Sequence, residues 1–192
     1  VFVRDYFSIN YTIEGEGTVS KTLQTGNVNE EGEFEYESTV DLTAEASEGW
    51  EFVEWSGDIT GSENPIEISV DSTIETTAVF ERIEYQLDVN TEGEGDVEVE
   101  LVSGESAVNG YYYGAEVQLS ATASTDWRFL EWTGDLESEE NPATITIQDN
   151  QSITGVFARD EYLVELSIDG EGTYEIELLS GEEKVDGYEY GS

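Results

Sequence analysis

The sequence predicts a mostly β protein: a tandem array of small β-rich modules, β-grasp-like or β-sandwich-like, with no long helices. Three observations predict this fold class. Apolar residues alternate with polar ones, glycine-rich turns separate the alternating segments, and the chain repeats itself after 77 residues. The 192 residues include 4 Trp, 11 Tyr and 7 Phe, which argues against disorder despite the high charge.

The elements of module 1 follow from this alternation. Phe7 to Ile13 alternate with polar residues and predict a half-buried strand. The segment Gly15-Glu16-Gly17 recurs twice further on and indicates a hairpin turn, since a phosphate cradle would need a following helix and a Lys. The remaining strands, about seven in all, are expected within residues 19–23, 34–46, 50–55, 66–70 and 74–80, with a polar turn at 57–65.

The repeat is defined by residues that recur at a fixed spacing. Nine residues reappear 77 positions later: Trp50, Phe52, Trp55, Gly57, Asp58, Asn64, Pro65, Phe80 and Tyr85 match Trp127, Phe129, Trp132, Gly134, Asp135, Asn141, Pro142, Phe157 and Tyr162. Gly15 and Gly17 instead lie 78 positions before Gly93 and Gly95. We place the extra residue of the first copy in the loop of residues 24–32.

These spacings divide the chain into four parts. Residues 1–6 resemble the end of a preceding repeat, residues 7–84 form module 1 and residues 85–161 form module 2. Residues 162–192 match the opening of a third module. We therefore expect the chain to be an excerpt of a longer tandem array, in which each module depends on aromatic burial and on its neighbours.

Composition excludes several functions. The chain has no His and no Cys, so thiol or imidazole catalysis, disulfides and Cys/His metal sites are impossible. Its formal charge of −40 repels nucleic acid and anionic membranes, and no apolar run is long enough to span a bilayer. We expect no enzymatic activity, no nucleic-acid partner and no direct membrane contact.

The acidity itself has two explanations. The carboxylates are spread along the whole chain rather than gathered in one tail, so the folded state repels itself evenly. Because salt screens such repulsion, we favour adaptation to high salt over an ordinary acidic secreted protein.

The residues of the repeat resemble a known family. The segment Trp50–Asp58 (WEFVEWSGD), the pair Asn64-Pro65 and the closing Thr77–Phe80 (TAVF) are similar to the divergent internalin B-type repeat, a bacterial repeat domain. The resemblance implies compact β-rich modules strung along secreted or surface-anchored proteins as stalks or adhesion segments, with no shared catalytic residues. This sequence departs from the family in its acidity and in having Trp50 and Trp127 where a smaller aromatic is commoner.

The aromatic residues of the motif have two interpretations. Burial in the core is the favoured one in a module this small, and an exposed sugar-stacking platform is the alternative. Trp55 shares the face of Trp50 and Phe52 only if a bulge intervenes. The residues concerned are Trp50, Phe52, Trp55, Trp127, Phe129 and Trp132.

The turn after the Trp motif offers oxygen ligands. Asp58 and Asn64, and Asp135 and Asn141 in the second copy, could contribute to a Ca²⁺ site, although the spacing fits an EF-hand poorly. Capping of the turn by these short polar side chains is the alternative. We expect no cofactor apart from this candidate Ca²⁺.

The rare basic residues show a pattern. Arg4, Arg82 and Arg159 occupy one equivalent position, two residues after the last Phe of a module. The hypothesis is that this junction arginine bridges carboxylates of adjacent modules and fixes their orientation. A local surface pair of little energetic value is the alternative. Separately, Asn10 and Asn150 begin N-glycosylation sequons.

These observations favour a structural stalk or spacer of an extracellular surface protein, adhesin or filament. The expected partners are neighbouring repeats of the same chain, with self-association into filaments by strand addition. The alternative is a surface module that binds glycans or Ca²⁺. Either role places the chain outside the cell, secreted or on the cell surface.

Overall fold

The computed structural model describes residues 4–162, 167, 169–172, 183–184 and 187–189. All regular secondary structure in this part is β-strand, which confirms the predicted fold class. No helix among these residues could cross a membrane. The chain divides into two compact units, Val1–Glu84 and Tyr85–Ser192. Most of the expected third module lies outside the described residues.

Eight strands form unit 1. They are β1 (Tyr6–Phe7), β2 (Ile9–Glu14), β3 (Gly17–Thr25), β4 (Phe34–Glu35), β5 (Thr39–Ala46), β6 (Trp50–Gly57), β7 (Ile66–Ser69) and β8 (Ile74–Arg82). They pair into two three-stranded sheets, β2-β8-β6 and β3-β5-β7, and the short ribbon β1-β4. Only β2 and β8 are parallel among the pairs of this unit, so its first long strand runs beside its last one.

The core of unit 1 lies between its two larger sheets. Val40, Leu42 and Ala44 alternate along β5 and point inward, as the period of two requires. From the other sheet, Trp55 and Phe80 pack into the same cluster.

A β-bulge places Trp55 in this core. The register between β6 and β8 shifts between Phe52 and Glu54, where the ladder skips one residue. Without that shift Trp55 would lie on the opposite face from Phe52, because side chains alternate along a strand. The bulge needed to place Trp55 on the same face as Phe52 is therefore present. It recurs between Phe129 and Glu131 in the second unit.

The glycine turn between β2 and β3 is not a hairpin turn, which corrects the sequence-based expectation. Within the described residues β2 and β3 belong to different sheets and form no ladder with each other. Gly15 has a φ of +87°, and a Cβ there would collide with the carbonyl of Phe80. The turn therefore presses against the last strand of the module and passes the chain from one sheet to the other.

The predicted segment of residues 34–46 is interrupted. The ribbon strand β4 ends at Glu35, and the chain turns at Glu37, whose φ of +65° is unusual for a residue other than glycine. The inward parity nevertheless continues into β5, which is why the sequence pattern does not reveal the break.

Unit 2 repeats this arrangement. Its strands are β9 (Glu84–Tyr85), β10 (Leu87–Glu92), β11 (Gly95–Ser103), β12 (Tyr111–Tyr112), β13 (Glu116–Ala123), β14 (Trp127–Gly134), β15 (Ala143–Thr146) and β16 (Gln151–Arg159). The sheets are β10-β16-β14 and β11-β13-β15, with the ribbon β12-β9 and a parallel pair between β10 and β16. Later in the same unit, β17 (Glu161–Tyr162), β18 (Glu183–Lys184) and β19 (Gly187–Glu189) pair in the order β17-β19-β18.

The two units differ in one loop. The isolated bridge Val28↔Phe34 encloses residues 29–33, whereas the equivalent bridge Ser106↔Tyr111 encloses residues 107–110. The extra residue of module 1 therefore lies after Val28. In this longer loop the side-chain oxygen of Asn29 accepts hydrogen bonds from the backbone nitrogens of Glu31 and Glu33.

Candidate functional site

The turn after the Trp motif, which recurs in both modules, is attached to the core by the Trp ring. The indole Nε1 of Trp55 donates to the carbonyl of Glu63 at 3.0 Å, and Trp132 donates to Glu140 at 2.8 Å. Both rings have 0% exposure. A buried indole requires a hydrogen-bond acceptor, so the ring and the turn stabilise each other.

A second attachment is made by the asparagine of the turn. The side chain of Asn64 accepts from the backbone nitrogen of Ala44 at 2.9 Å and donates to the carbonyl of the same residue at 2.7 Å. Asn141 does the same to Ala121, at 2.9 and 2.7 Å. Each amide therefore imitates one residue of a neighbouring strand.

The aspartate of the turn also binds backbone. Asp58 accepts from the nitrogen of Glu75 at 2.9 Å, and Asp135 accepts from the nitrogen of Ser152 at 2.7 Å. These bonds reach the backbone of distant residues, 17 positions along the chain for Asp58 and 20 for Asn64, rather than the turn's own backbone as local capping would require. In the described part of the chain, no three Asp or Glu side chains cluster closely enough to hold a metal ion.

The other aromatic residues of the motif pack around the buried indole. Phe52 lies 5.2 Å from Trp55 and 5.8 Å from Phe80, between ring centroids. The corresponding distances from Phe129 are 4.9 Å to Trp132 and 5.8 Å to Phe157. Because Trp55 and Trp132 are buried, neither ring is accessible for stacking on a sugar.

The half-buried indoles are each covered by an arginine. Arg82 lies over the ring of Trp50 and Arg159 over the ring of Trp127, each at 5.6 Å from the centroid. Within each pair the two residues stand opposite each other in the ladder. Two of the three predicted junction arginines therefore stack on a Trp of their own module.

Arg4 makes a different contact. Its Nη1 atom lies 2.7 and 2.8 Å from the two carboxylate oxygens of Glu35. This pair links the residues that precede module 1 to strand β4, and both residues lie within unit 1. The arginine side chain is 59% exposed, so the pair contributes little to stability.

The two sequon asparagines are exposed but hydrogen-bonded. Asn10 donates from Nδ2 to Glu75 at 2.7 Å on the outward face of β2. Asn150 accepts through Oδ1 from the backbone nitrogen of Gln86 at 2.8 Å. A glycan is attached to Nδ2, so it would compete with the contact of Asn10, whereas the contact of Asn150 uses Oδ1 and is compatible with glycosylation.

One structural difference between the units was not predicted. In unit 1, the ammonium of Lys21 donates to the carbonyl of Ile9 at 2.9 Å and lies 5.6 Å from the ring centroid of Tyr11. Tyr11 in turn donates to the carbonyl of Val19 at 3.2 Å. These two side chains bridge β2 and β3, the neighbouring edge strands of the two sheets.

Unit 2 lacks both bridging side chains. Val89 and Val99 stand at the positions of Tyr11 and Lys21, as the 78-residue spacing of this part shows. A cleft of about 550 Å³ lies between β10 and β11, and these two valines are among the residues that line it. Aligning the two copies residue by residue would have exposed the difference, whereas the shared motifs concealed it.

The fold and its attachments define a class of protein: tandem all-β repeat modules, each built on a bulged Trp strand and a turn fixed by Asn and Asp. The chain belongs to the family of the divergent InlB B-repeat domain, whose model matches residues 8–84 and 85–161. This confirms the predicted resemblance.

Other comparisons add little. No curated protein matches the sequence. Among solved structures, the chain is similar to the major pilin protein T-13 of Streptococcus pyogenes, with 11% identity and a TM-score of 0.35. The match covers 81% of this chain and 96% of the pilin chain. At that TM-score, no functional argument rests on the similarity.

Proposed function

We propose that this chain is a segment of a stalk or spacer in an extracellular surface protein, and that it has no enzymatic role. The observation that carries the proposal is the repetition of a self-contained module. Each unit has its own buried core, and the chemically distinctive residues of its motif are engaged in holding that module together.

Membership of the repeat family supports a structural role on the cell surface. The sequence-based alternative, a glycan- or Ca²⁺-binding module, has less support. The residues proposed to bind glycans include Trp55 and Trp132, which are buried, and the proposed Ca²⁺ ligands Asp58 and Asn64 bind backbone groups.

The junction arginine has a place in this proposal. Arg4 pairs with Glu35 at the entrance of module 1, and Arg82 stacks on Trp50 at the end of the same module. We propose that the arginine at this position fixes the path of the chain as it leaves one module and enters the next. Its guanidinium can stack on an aromatic ring and donate hydrogen bonds to a carboxylate at the same time, which a lysine does poorly.

A length series tests the proposal. Small-angle scattering should be measured on the present chain and on versions with residues 85–161 inserted once and twice more. A stalk predicts that the maximum dimension grows by the same increment with each added module. A maximum dimension that hardly changes would indicate a globular assembly and would contradict the proposal.

A variant tests the arginine separately. Arg159→Gln, present in every inserted copy of residues 85–161, removes the cation and keeps a polar side chain. Glu131→Gln, at an exposed position within β14, serves as the control. Loss of the regular increment in the Arg159→Gln series alone would support the orienting role. Identical scattering from both variants would support the simpler local contact.

A further inference from the structure

The cleft of unit 2 lies beside the edge strand β11. Within the described residues, β11 pairs only with β13, as β3 pairs only with β5 in unit 1. Val99 and Leu101 point toward the core side, opposite the buried residues Leu119 and Val117, yet they are 38% and 37% exposed. Leu23, the equivalent of Leu101, is similarly exposed at 36%, so the two edges differ at Val99, which takes the place of Lys21.

The same position in unit 1 shows what covers such an edge. There the four-carbon stem and the ammonium of Lys21 fill the space between the strands, and the ammonium binds a backbone carbonyl of β2. Tyr11 closes the gap from the other side. Unit 1 thus carries its own cationic and aromatic filler, whereas unit 2 leaves the equivalent space open.

The outward face of β11 completes the pattern. Asp96, Glu98 and Glu100 alternate with the apolar residues and are exposed, so the edge presents a row of carboxylates. The equivalent outward residues of β3 are Thr18, Ser20 and Thr22, which are uncharged. The edge of β11 therefore combines an open cleft with a row of carboxylates, whereas the edge of β3 carries Lys21 and neutral outward side chains.

We propose that β11 is a docking strand for an extended polypeptide in which Lys or Arg alternates with apolar residues. The peptide adds to the free edge as a fourth strand of the sheet β11-β13-β15. Backbone hydrogen bonds supply affinity, as in other cases of strand addition. The apolar side chains of the peptide cover Val99 and Leu101, and its basic side chains lie opposite the carboxylates of β11.

A second copy of this chain fits the edge poorly. Pairing β11 with another β11 would place carboxylates opposite carboxylates, which destabilises a sheet. The six basic residues of the sequence are all more than 15 positions apart, so none of its strands offers two cations. The charge pattern thus selects a basic partner of different sequence.

The probe for the test is the acetylated and amidated peptide Lys-Val-Lys-Val-Lys-Val-Lys. Its affinity for the full chain should be measured by titration calorimetry at moderate ionic strength. Two further probes carry N-methyl groups, one on every Lys and one on every Val. They keep the charge but remove the backbone donors from one side of the extended peptide.

Strand addition and simple charge attraction give different results. If the peptide adds to β11, one N-methylated probe loses at least tenfold in affinity and the other does not, because only one side of a strand faces the edge. Hydrogen exchange should slow in residues 95–103 and remain unchanged in residues 17–25 of unit 1. Equal binding of all three probes, or slowed exchange spread over both units, would overturn the proposal.

A pair of variants locates the cleft. The double variant V89Y/V99K gives unit 2 the Tyr and Lys that fill the space in unit 1. The control T144K also adds one positive charge, but on the opposite edge strand, β15. Affinity for the unmodified probe should fall at least tenfold in V89Y/V99K relative to T144K. Equal affinities would rule out the cleft, and dimers formed through β11 in the absence of peptide would rule out the proposed occupant.

Discussion

The side-chain amide of Asn64 pairs with both backbone groups of Ala44, accepting from its nitrogen and donating to its carbonyl. The ladder between β5 and β7 ends at Leu42↔Ile66, and the amide adds a further pairing two residues along β5, at Ala44. Asn141 and Ala121 repeat the arrangement in unit 2. The asparagine is therefore part of the sheet rather than of a binding loop.

Replacement of Asn64 by Ala should destabilise unit 1. Both hydrogen bonds are lost and two backbone groups of β5 lose their partner, so we expect a cost of about 1–3 kcal/mol in the free energy of unfolding. Denaturant unfolding measures the change. The control Glu63→Ala alters the neighbouring exposed side chain and should leave the midpoint unchanged. A cost equal to that of the control would show that the amide contributes nothing.

Replacement of Ser38 by Ala should stabilise unit 1. Ser38 is fully buried, and its hydroxyl has no hydrogen-bond partner in the described part of the chain. Unit 2 has Ala115 at this position, also buried. Removing the unsatisfied group should raise the free energy of unfolding by about 1 kcal/mol. The reciprocal Ala115→Ser should lower it. If Ser38→Ala destabilises the chain, the hydroxyl must have a partner after all.

At two equivalent positions with a positive φ, one unit has glycine and the other has a residue with a Cβ. Glu37 has a φ of +65° where unit 2 has Gly114, and Asp126 has a φ of +65° where unit 1 has Gly49. Glu37→Gly should stabilise by up to about 1 kcal/mol, because the left-handed conformation costs a residue with a Cβ. Asp126→Gly should gain less, since Asp tolerates this conformation better. Thermal unfolding of both variants tests the order, and a larger gain for Asp126→Gly would refute it.

Gly114→Glu provides the reverse experiment. A Cβ at Gly114 meets open space among the described residues, so the substitution introduces backbone strain without a collision. We expect a loss of about 1–2 kcal/mol. A loss much greater than this would mean that packing, rather than φ, determines the choice of glycine.

Salt should stabilise the protein. At a formal charge of −40 the folded chain repels itself, and the screening length falls from about 10 Å at ~0.1 M salt to about 3 Å at ~1 M. We expect the melting temperature to rise by on the order of 10 °C across this range in KCl. A variant with Glu98 and Glu100 changed to Gln should show a smaller rise. A melting temperature independent of salt would favour the ordinary acidic secreted protein.

Calcium should have no specific effect. The side chains of Asp58 and Asn64 already bind the backbone of Glu75 and Ala44, so ligation would have to break those bonds. Adding Ca²⁺ should therefore shift the melting temperature no more than Mg²⁺ at the same ionic strength. A shift produced by Ca²⁺ alone, and abolished by Asp58→Ala, would restore the metal site.

The strands were predictable because burial imposes a period of two on the sequence. Val40, Leu42 and Ala44 show it directly, and the repeat supplied each segment twice. The pairing of the strands was harder to predict from the sequence. The motif Gly15-Glu16-Gly17 suggests a hairpin as readily as a transfer between sheets, because the difference lies in the distant contact of Gly15 with Phe80.

The candidate functional residues were likewise only partly predictable from the sequence. The sequence identified Asp58, Asn64 and Trp55 as special through their recurrence, but recurrence does not distinguish a ligand from a structural hydrogen bond. The open cleft beside β11 was missed for the opposite reason. It depends on what Val89 and Val99 lack relative to Tyr11 and Lys21, and a search for shared residues passes over such differences.

The parallel pairing of β2 with β8 has a mechanical consequence. The chain enters the module near the amino end of β2 and leaves at the carboxyl end of β8, and six residue pairs join the two strands in register. Tension along the chain therefore pulls these strands past each other lengthwise, so that all six pairs bear the load together instead of opening one after another. Unit 2 joins β10 and β16 with the same six-pair register. The geometry of each repeat thus resists force applied at its two ends by shear between parallel strands.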